Sequence, residues 1–404
     1  MQKSWNLYRG LERVFSMEKL RDAKAEIKII NNEDGYFYFF GYYDLQPFDS
    51  NDKYHLCHRV KFMDRLPLKD DVCELGVLDP DTKEFIKYSE TTAWNFQQGA
   101  MLQWFVPDES IVYNVREGDG FNTEIKNIKT GETRRLPLAV ANVSNDRKYG
   151  LCLNMSRIFD FRPGYGYSEV PDPYFDIKAP QNDGIFLMDM ETGEYKLIIN
   201  YADIIKQFPR EPYTDCKLVV NHITFNPSGT RFLFLLRNFR EGNAMWNTQL
   251  ITSDLEGNMC PLSDYISNSH YNWKNDTQIL IVTSHTGNTR DNLCLRDDFT
   301  GDTIMYDLPE LHEDIHCLYS PNQRYIIGDG YPIKEDYRKL WLYDTKENKA
   351  ILLVSVYSYK AALGDVRCDL HARWNHKGNK ITFDSNHNGA RCVCEMDLSD
   401  IVEY

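Results

Sequence analysis

The sequence predicts an all-β protein, a seven-bladed β-propeller of four-stranded antiparallel blades, and three observations predict it. A short polar turn leading into an apolar strand recurs seven times along the 404 residues, a second hairpin follows most copies, and a strongly strand-forming run precedes the first turn. Four strands per unit, at intervals of about 40 to 50 residues, mark a circular array whose sheets each cover a neighbour's apolar face. An open sandwich or two separate β domains are the alternatives.

The first element of each unit is the turn and its strand: "PFDSNDKYHLCHR", "FVPDESIVYNVR", "VSNDRKYGLCLN", "FNPSGTRFLFLL", "WKNDTQILIVTS", "YSPNQRYIIGDG" and "WNHKGNKITFDS". Val, Ile, Leu, Phe and Tyr after a turn of Asp, Asn, Ser or Gly read as a half-hairpin. The second element is a strand, a tight turn and a return, as in "LMDMETGEYKLI" and "LYDTKENKAILL". The last copy ends at "EMDLSDIVEY" without a return strand. The run "YFYFFGYYD", Tyr36 to Asp44, is expected to supply it and so complete the last blade from the N-terminal side. Residues 1–35 are then an N-terminal extension, partly helical, and 36–404 the propeller.

Composition narrows the function. With 46 basic and 60 acidic residues the formal charge is -14, which disfavours polyanions and argues against nucleic acid as a partner. No stretch approaches the length of apolar residues needed to span a membrane. The first residues show no signal-peptide pattern, so a cytoplasmic protein is expected, or a periplasmic or secreted one if a leader has been removed. The ten cysteines form no CxxC pair and most are read as buried thiols, with Cys392 and Cys394 expected on opposite faces of a strand.

Four consecutive units carry a histidine three residues before the aromatic that precedes the turn: His222, His270, His316 and His371. On the innermost strand of each blade these imidazoles are expected to approach one axis. Neutral imidazole with a facing carboxylate suits a divalent metal, Mn, Zn or Ca, with His270, His316, His371 and Asp369 as ligands and Asp365 as another carboxylate in range. Hydrogen bonding to the next blade's backbone, or acid–base work by His222, are the other readings. No organic cofactor is indicated. His55, His58, His312 and His376 are expected at the surface or in turns, and His285 and His387, with Arg290 and Arg391 nearby, at strand ends.

Two segments exceed what blades require. Asn154 to Gly184 is a proline-interrupted excursion in which Arg157 and Arg162 are placed to grip a carboxylate and Tyr165 and Tyr167 to handle protons. Thr91 to Phe105 offers Trp94, Asn95, Gln97 and Gln98 as a sugar platform. Arg116, Arg237 and Arg240 follow blade strands and add positive charge. Together they suit an acidic sugar, on which β-elimination needs a base, an acid and a neutraliser of the uronate carboxylate.

The repeats "HITFNPSGTRFLFL" and "HARWNHKGNKITFD" resemble the PD40 repeat of TolB-type propellers. The run from "GDVRCDLHARWN" onward resembles the oligogalacturonate lyase family, and "AWNFQQGAMLQW" with "RPGYGY" resembles the seven-bladed ulvan and rhamnosyl-glucuronate lyase families. The resemblance implies a lyase acting on a uronate-containing oligosaccharide or polysaccharide, a metal on propeller histidines, a uronate-binding arginine such as Arg162, and His222 with Tyr165 or Tyr167 as base and acid. In the last blade "DLHAR" puts Asp369 and His371 where the resemblance implies a Gln and two alternating histidines. A glycoside hydrolase using carboxylates such as Asp44, Glu117 and Asp329, and a non-catalytic sugar-binding or protein-interaction propeller, are the competing functions. A monomer or weak homo-oligomer is expected.

Overall fold

The computed structural model describes residues 25–209, 216–239, 247–262, 268–283, 292–306, 314–331, 336–358 and 364–404. The expectations for residues 1–24 and for Arg240, His285, Arg290 and His312 therefore lie outside the described residues. Seven four-stranded antiparallel sheets follow one another along the chain, numbered here 1 to 7, in the strand order of a seven-bladed propeller. Six are meanders in which successive strands pair, because the turns at positions such as Asp79, Asp189, Asp254 and Asp297 fold the chain straight back, and the seventh takes its outer strand from the N-terminal side. At each of these turns an Asp side chain accepts hydrogen bonds from backbone amides two to four residues on. No helix among the described residues is long and apolar enough to cross a membrane.

The chain divides into two units. The first holds sheets 1, 6 and 7. One core packs Ile327, Leu340, Leu342 and Val354 of sheet 6 against Ile381, Phe383 and Met396 of sheet 7, and another joins Val393 of sheet 7 to Tyr38, Cys57 and Leu78 of sheet 1. Each fully buried side chain of this kind contributes about 1.5–3 kcal/mol. The second unit holds sheets 2 to 5, with Val112, Val140 and Met188 packed between sheets 2 and 3 and Leu233, Leu250, Trp273 and Ile279 between sheets 4 and 5.

Sheet 7 is completed by an N-terminal strand, but not by the aromatic run expected to do so. Lys28–Ile29 pairs with Glu395 and Cys394, and the Ile30 amide donates to the Val393 carbonyl at 3.0 Å. The physical reason is burial: an outer edge strand has a solvated side and suits the polar "EIKI", whereas Phe39, Phe40, Tyr42 and Tyr43 are all buried and belong inside. Phe37–Phe39 becomes the first strand of sheet 1, paired with His58 to Val60. The chain beyond it is pinned by Asp384, whose carboxylate accepts from the Phe40 and Gly41 amides at 3.1 and 3.2 Å. Arg373, itself paired with Asp384 at 3.1 Å, donates to the Gly41 carbonyl at 2.7 Å.

The inner strands explain a second correction. His55 and His58 are fully buried rather than exposed, because the strand His55–Val60 is covered on both faces. His55 Nε2 lies 2.9 Å from Thr382 Oγ1, and His58 stacks on Phe39 at 4.9 Å. His376 is exposed, as expected.

Replacing Asp384 with Ala leaves the Arg373 guanidinium buried without its counter-charge, and a loss of about 3–5 kcal/mol is expected in chemical denaturation. Burial pushes the His58 imidazole down to about 3, so below the unfolded value of about 6.5 the unfolded chain binds the extra proton. Stability is therefore full near neutral pH and falls as pH drops toward 3, and a His58→Gln variant should show a shallower decline in its denaturation midpoint.

Candidate metal centre

Among the described residues, His316, Asp369 and His371 form a buried group whose ligand atoms lie within 4.8 Å of one another. All three belong to the first unit. His316 sits in the regular strand Ile315–Tyr319, directly across from Asp329, so the two side chains share one face. His371 precedes the short strand Arg373–Trp374 and has φ +45°, a left-handed conformation that aims its ring away from regular strand alternation. Asp329 holds that backbone by accepting from the Leu370 and His371 amides at 3.1 and 3.4 Å.

The hydrogen bonds fix both tautomers. His316 Nδ1 lies 3.2 Å from each oxygen of Asp329 and must donate to it. His371 Nδ1 lies 2.8 Å from the Gly41 carbonyl and likewise donates. Both rings therefore turn Nε2 toward each other, at 3.3 Å, and in the neutral form each Nε2 carries a lone pair. Two lone pairs in that position repel unless a cation lies between them. Two imidazole nitrogens on one ion, at bonds near 2.1 Å, sit roughly 3.0–3.4 Å apart, so the spacing fits a shared metal. A histidine with its other nitrogen on a carboxylate or carbonyl is the usual outer support of such a ligand.

Asp369 completes the donor set. Burial raises its carboxyl, but Arg367 and Arg338 outweigh it and hold the group well below the usual carboxylate range. Arg338 lies 2.8 Å from Oδ1, and Arg367 Nη2 lies 2.8 Å from Oδ2, which nevertheless makes no aligned hydrogen bond and keeps lone pairs for a further partner. Burial and the adjacent His316 push His371 well below its ordinary value, so its ring is neutral at neutral pH and fit to ligate. The rings of Tyr42 and Tyr43 pack on both imidazoles, and the Tyr331 hydroxyl lies 3.4 Å from His316 Nε2. Two nitrogens, a carboxylate and a nearby phenol suit a borderline or hard divalent ion.

His222 and His270 belong to the second unit. His222 also has a positive φ, +48°, because it is the extra residue of a bulge between Asn221 and Ile223. It stacks on Tyr271 at 4.3 Å, and His270 Nδ1 lies 3.2 Å from Ser269 Oγ.

The remaining sequence candidates gather elsewhere in that unit, where the two long loops are stitched together. Asn95 donates to the Gly166 carbonyl at 3.3 Å, Arg116 to the Ser168 carbonyl at 2.8 Å, and Asn114 to the Tyr167 hydroxyl at 2.9 Å. Trp94 is buried and donates to the Asp71 carbonyl, which makes it a packing residue rather than an open platform. Asn95 Oδ1 caps the turn by accepting from the Gln97 and Gln98 amides, and Gln97 is buried. Arg237 is buried and donates to Thr248.

Arg157 is not the expected carboxylate clamp. Its five guanidinium donors go to Leu218, Tyr174, Ile177 and Lys178 carbonyls and to Asp172, which leaves none for substrate. It fixes the excursion that starts with the helix Met155–Phe161. Arg162, at the end of that helix, is half-buried with its guanidinium over the Tyr165 ring at 4.4 Å. Burial pushes the Tyr167 hydroxyl up, away from the range of a phenolate base. Arg116 differs, since its Nε and Nη1 are buried without a hydrogen-bond partner in the described residues.

Arg338, Arg367, Tyr331 and the pairing of Asp329 with His316 were not foreseen. The Asp329 pairing was readable, because the turn between Tyr319 and Tyr325 sets the register that opposes it to His316.

No family model and no curated protein matches the chain. Among solved structures it is similar to an oligogalacturonate lyase in complex with manganese, at 14% identity and a TM-score of 0.68 over 93% of this chain and 94% of that one. An oligogalacturonate lyase from Vibrio parahaemolyticus aligns at 14% identity and 0.67 over the same shares. These likenesses establish a common propeller fold.

Gly166 lies so close to the helix Met155–Phe161 that a Cβ would meet the Phe159 amide nitrogen at 2.2 Å and the Met155 carbonyl at 2.4 Å. A Gly166→Ala variant must push the loop off the helix, and a loss of about 1–3 kcal/mol is expected in thermal or denaturant unfolding.

Proposed function

We propose that the protein is a carbon–oxygen lyase that cleaves a uronate-containing glycan by β-elimination, with a divalent cation held by His316, His371 and Asp369. The observation that carries this reading is the pair of Nε2 atoms facing each other at 3.3 Å beside an ionised, buried carboxylate. The propeller fold shared with oligogalacturonate lyases, one of them in complex with manganese, supports it.

A cation bound there would neutralise a uronate carboxylate and the charge that grows as the neighbouring ring proton leaves. The chain's own residues do the rest. Asp329 and the Gly41 carbonyl keep the two imidazoles in the ligating tautomer. Arg338 and Arg367 keep Asp369 ionised. Tyr42 and Tyr43 pack against the imidazoles. Among the described residues the half-buried Tyr331 hydroxyl, 3.4 Å from His316 Nε2, is placed to move a proton, and on this reading it takes the role expected of Tyr165 or Tyr167. The substrate is an acidic oligosaccharide or polysaccharide.

Protein loaded with Mn²⁺ and offered a panel of uronate oligosaccharides should generate the ultraviolet absorbance of an unsaturated uronate. His371→Ala should abolish it, and Asp329→Asn should lower metal affinity or turnover by about 10–100-fold. Metal-loaded protein that yields no unsaturated product from any member of the panel would sink the lyase assignment.

A further inference from the structure

A second group of ligating side chains lies in sheet 7, where the hairpin Lys380–Asp397 turns. Cys392 and Cys394 are two apart in the strand Cys392–Asp397, and a strand has a period of two, so they share a face instead of pointing apart as expected. Their Sγ atoms are 3.8 Å apart. His387, in the turn of the same hairpin, brings a ring nitrogen so that the three ligand atoms all lie within 4.8 Å.

Each member is prepared for one ligand bond. His387 Nδ1 lies 2.7 Å from Ser385 Oγ, which leaves Nε2 as the ring's other donor site. Burial pushes its imidazole down to about 4, so the ring is neutral at neutral pH. Both thiols are buried and unoxidised, at 1% and 0% exposure, while His387 is partly exposed and gives an ion a way in. Two sulfurs bound to one tetrahedral ion at about 2.3 Å lie about 3.8 Å apart, the separation seen here.

We propose that His387, Cys392 and Cys394 form a site for a thiophilic d¹⁰ cation of the zinc class, separate from the histidine–carboxylate group and independent of the lyase reading. On binding, each Sγ gives its proton to solvent and donates a lone pair to the ion, so the two thiolates balance a dication in a buried place. Sulfur donors select zinc, cadmium or copper(I), whereas the nitrogen and oxygen donors of His316, His371 and Asp369 suit harder ions, so one chain sorts two metals by donor type. The site braces the hairpin whose outer strand pairs with Lys28–Ile29, and its ion would tie Cys394 to the turn beside the closing strand.

The test is titration of the reduced, metal-free full chain with Cd²⁺, in a Cys260→Ser background that removes the exposed thiol. A thiolate-to-metal charge-transfer absorption that saturates at one equivalent is expected, and excess Mn²⁺ should not displace it. Cys394→Ser should abolish the band, His387→Ala should weaken Cd²⁺ binding by about tenfold or more, and His371→Ala should leave it intact. Because Cys394 is buried and substituting it risks the fold, His387→Ala, at a partly exposed turn, is the decisive arm, with circular dichroism confirming its fold. No charge-transfer band, a band unchanged in His387→Ala, or a Cys392–Cys394 disulfide in protein freshly isolated under non-reducing conditions would each overturn the assignment.

Discussion

The carboxylate of Asp384 connects the closure of sheet 7 to the geometry of the histidine pair. It accepts from the Phe40 and Gly41 amides and pairs with Arg373, and Arg373 in turn holds the carbonyls of Gly41 and Tyr42. The Gly41 carbonyl so fixed is the acceptor for His371 Nδ1, and the next two residues supply the tyrosine rings against the imidazoles. A buried ion pair of this kind adds little net stability over an apolar one, but losing either partner is expensive. Its worth here is specificity: it places one carbonyl, which selects one tautomer, which aims one lone pair.

Backbone strain is present at the same place. A non-glycine residue in the left-handed region costs of order 1–3 kcal/mol and persists only where its surroundings hold it. His371 is held from both sides, by Asp329 on its amide and by Gly41 on its ring. Asp329 also grips His316, so one carboxylate orients both imidazoles. In the second unit the strain at His222 comes from a bulge, a device that re-aims a side chain without ending the strand.

Local pattern made the blades legible and non-local packing hid the rest. The seven turns could be read because each is a short-range signal: a side-chain acceptor, a tight reversal and a β-branched or aromatic run. The closing strand was misplaced because Tyr36 to Asp44 is the stronger strand former, while the choice of edge depends on which segment tolerates solvent. His316 and His371 were legible from their shared offset in successive units, whereas Asp369 was only one of two carboxylates, with Asp365, that could face them, and the same offset also offered His222 and His270. Arg338 and Arg367 were not legible, because one lies in the third strand of sheet 6 and the other just after the short helical turn Gly364–Val366, and only folding brings both to Asp369. Arg157 misled because its residue type says nothing of how many carbonyls will surround it.

The formal charges around the histidine pair bear on why an acidic ligand would enter a protein of net charge -14. Asp329 and Asp369 contribute two negative charges, Arg338 and Arg367 two positive, and the imidazoles add none when neutral. Before metal enters, the group is thus balanced and holds no net attraction for an anion. A dication adds two positive charges within a low-dielectric setting, where an unbalanced charge is costly. An anionic ligand is the means of reducing that excess, and a uronate carboxylate also carries its acidic ring proton on the adjoining carbon. On the proposed reading, attraction for an acidic ligand would depend on the metal, and the acidic surface would not oppose it at short range, because salt screens surface charge beyond about 8–10 Å.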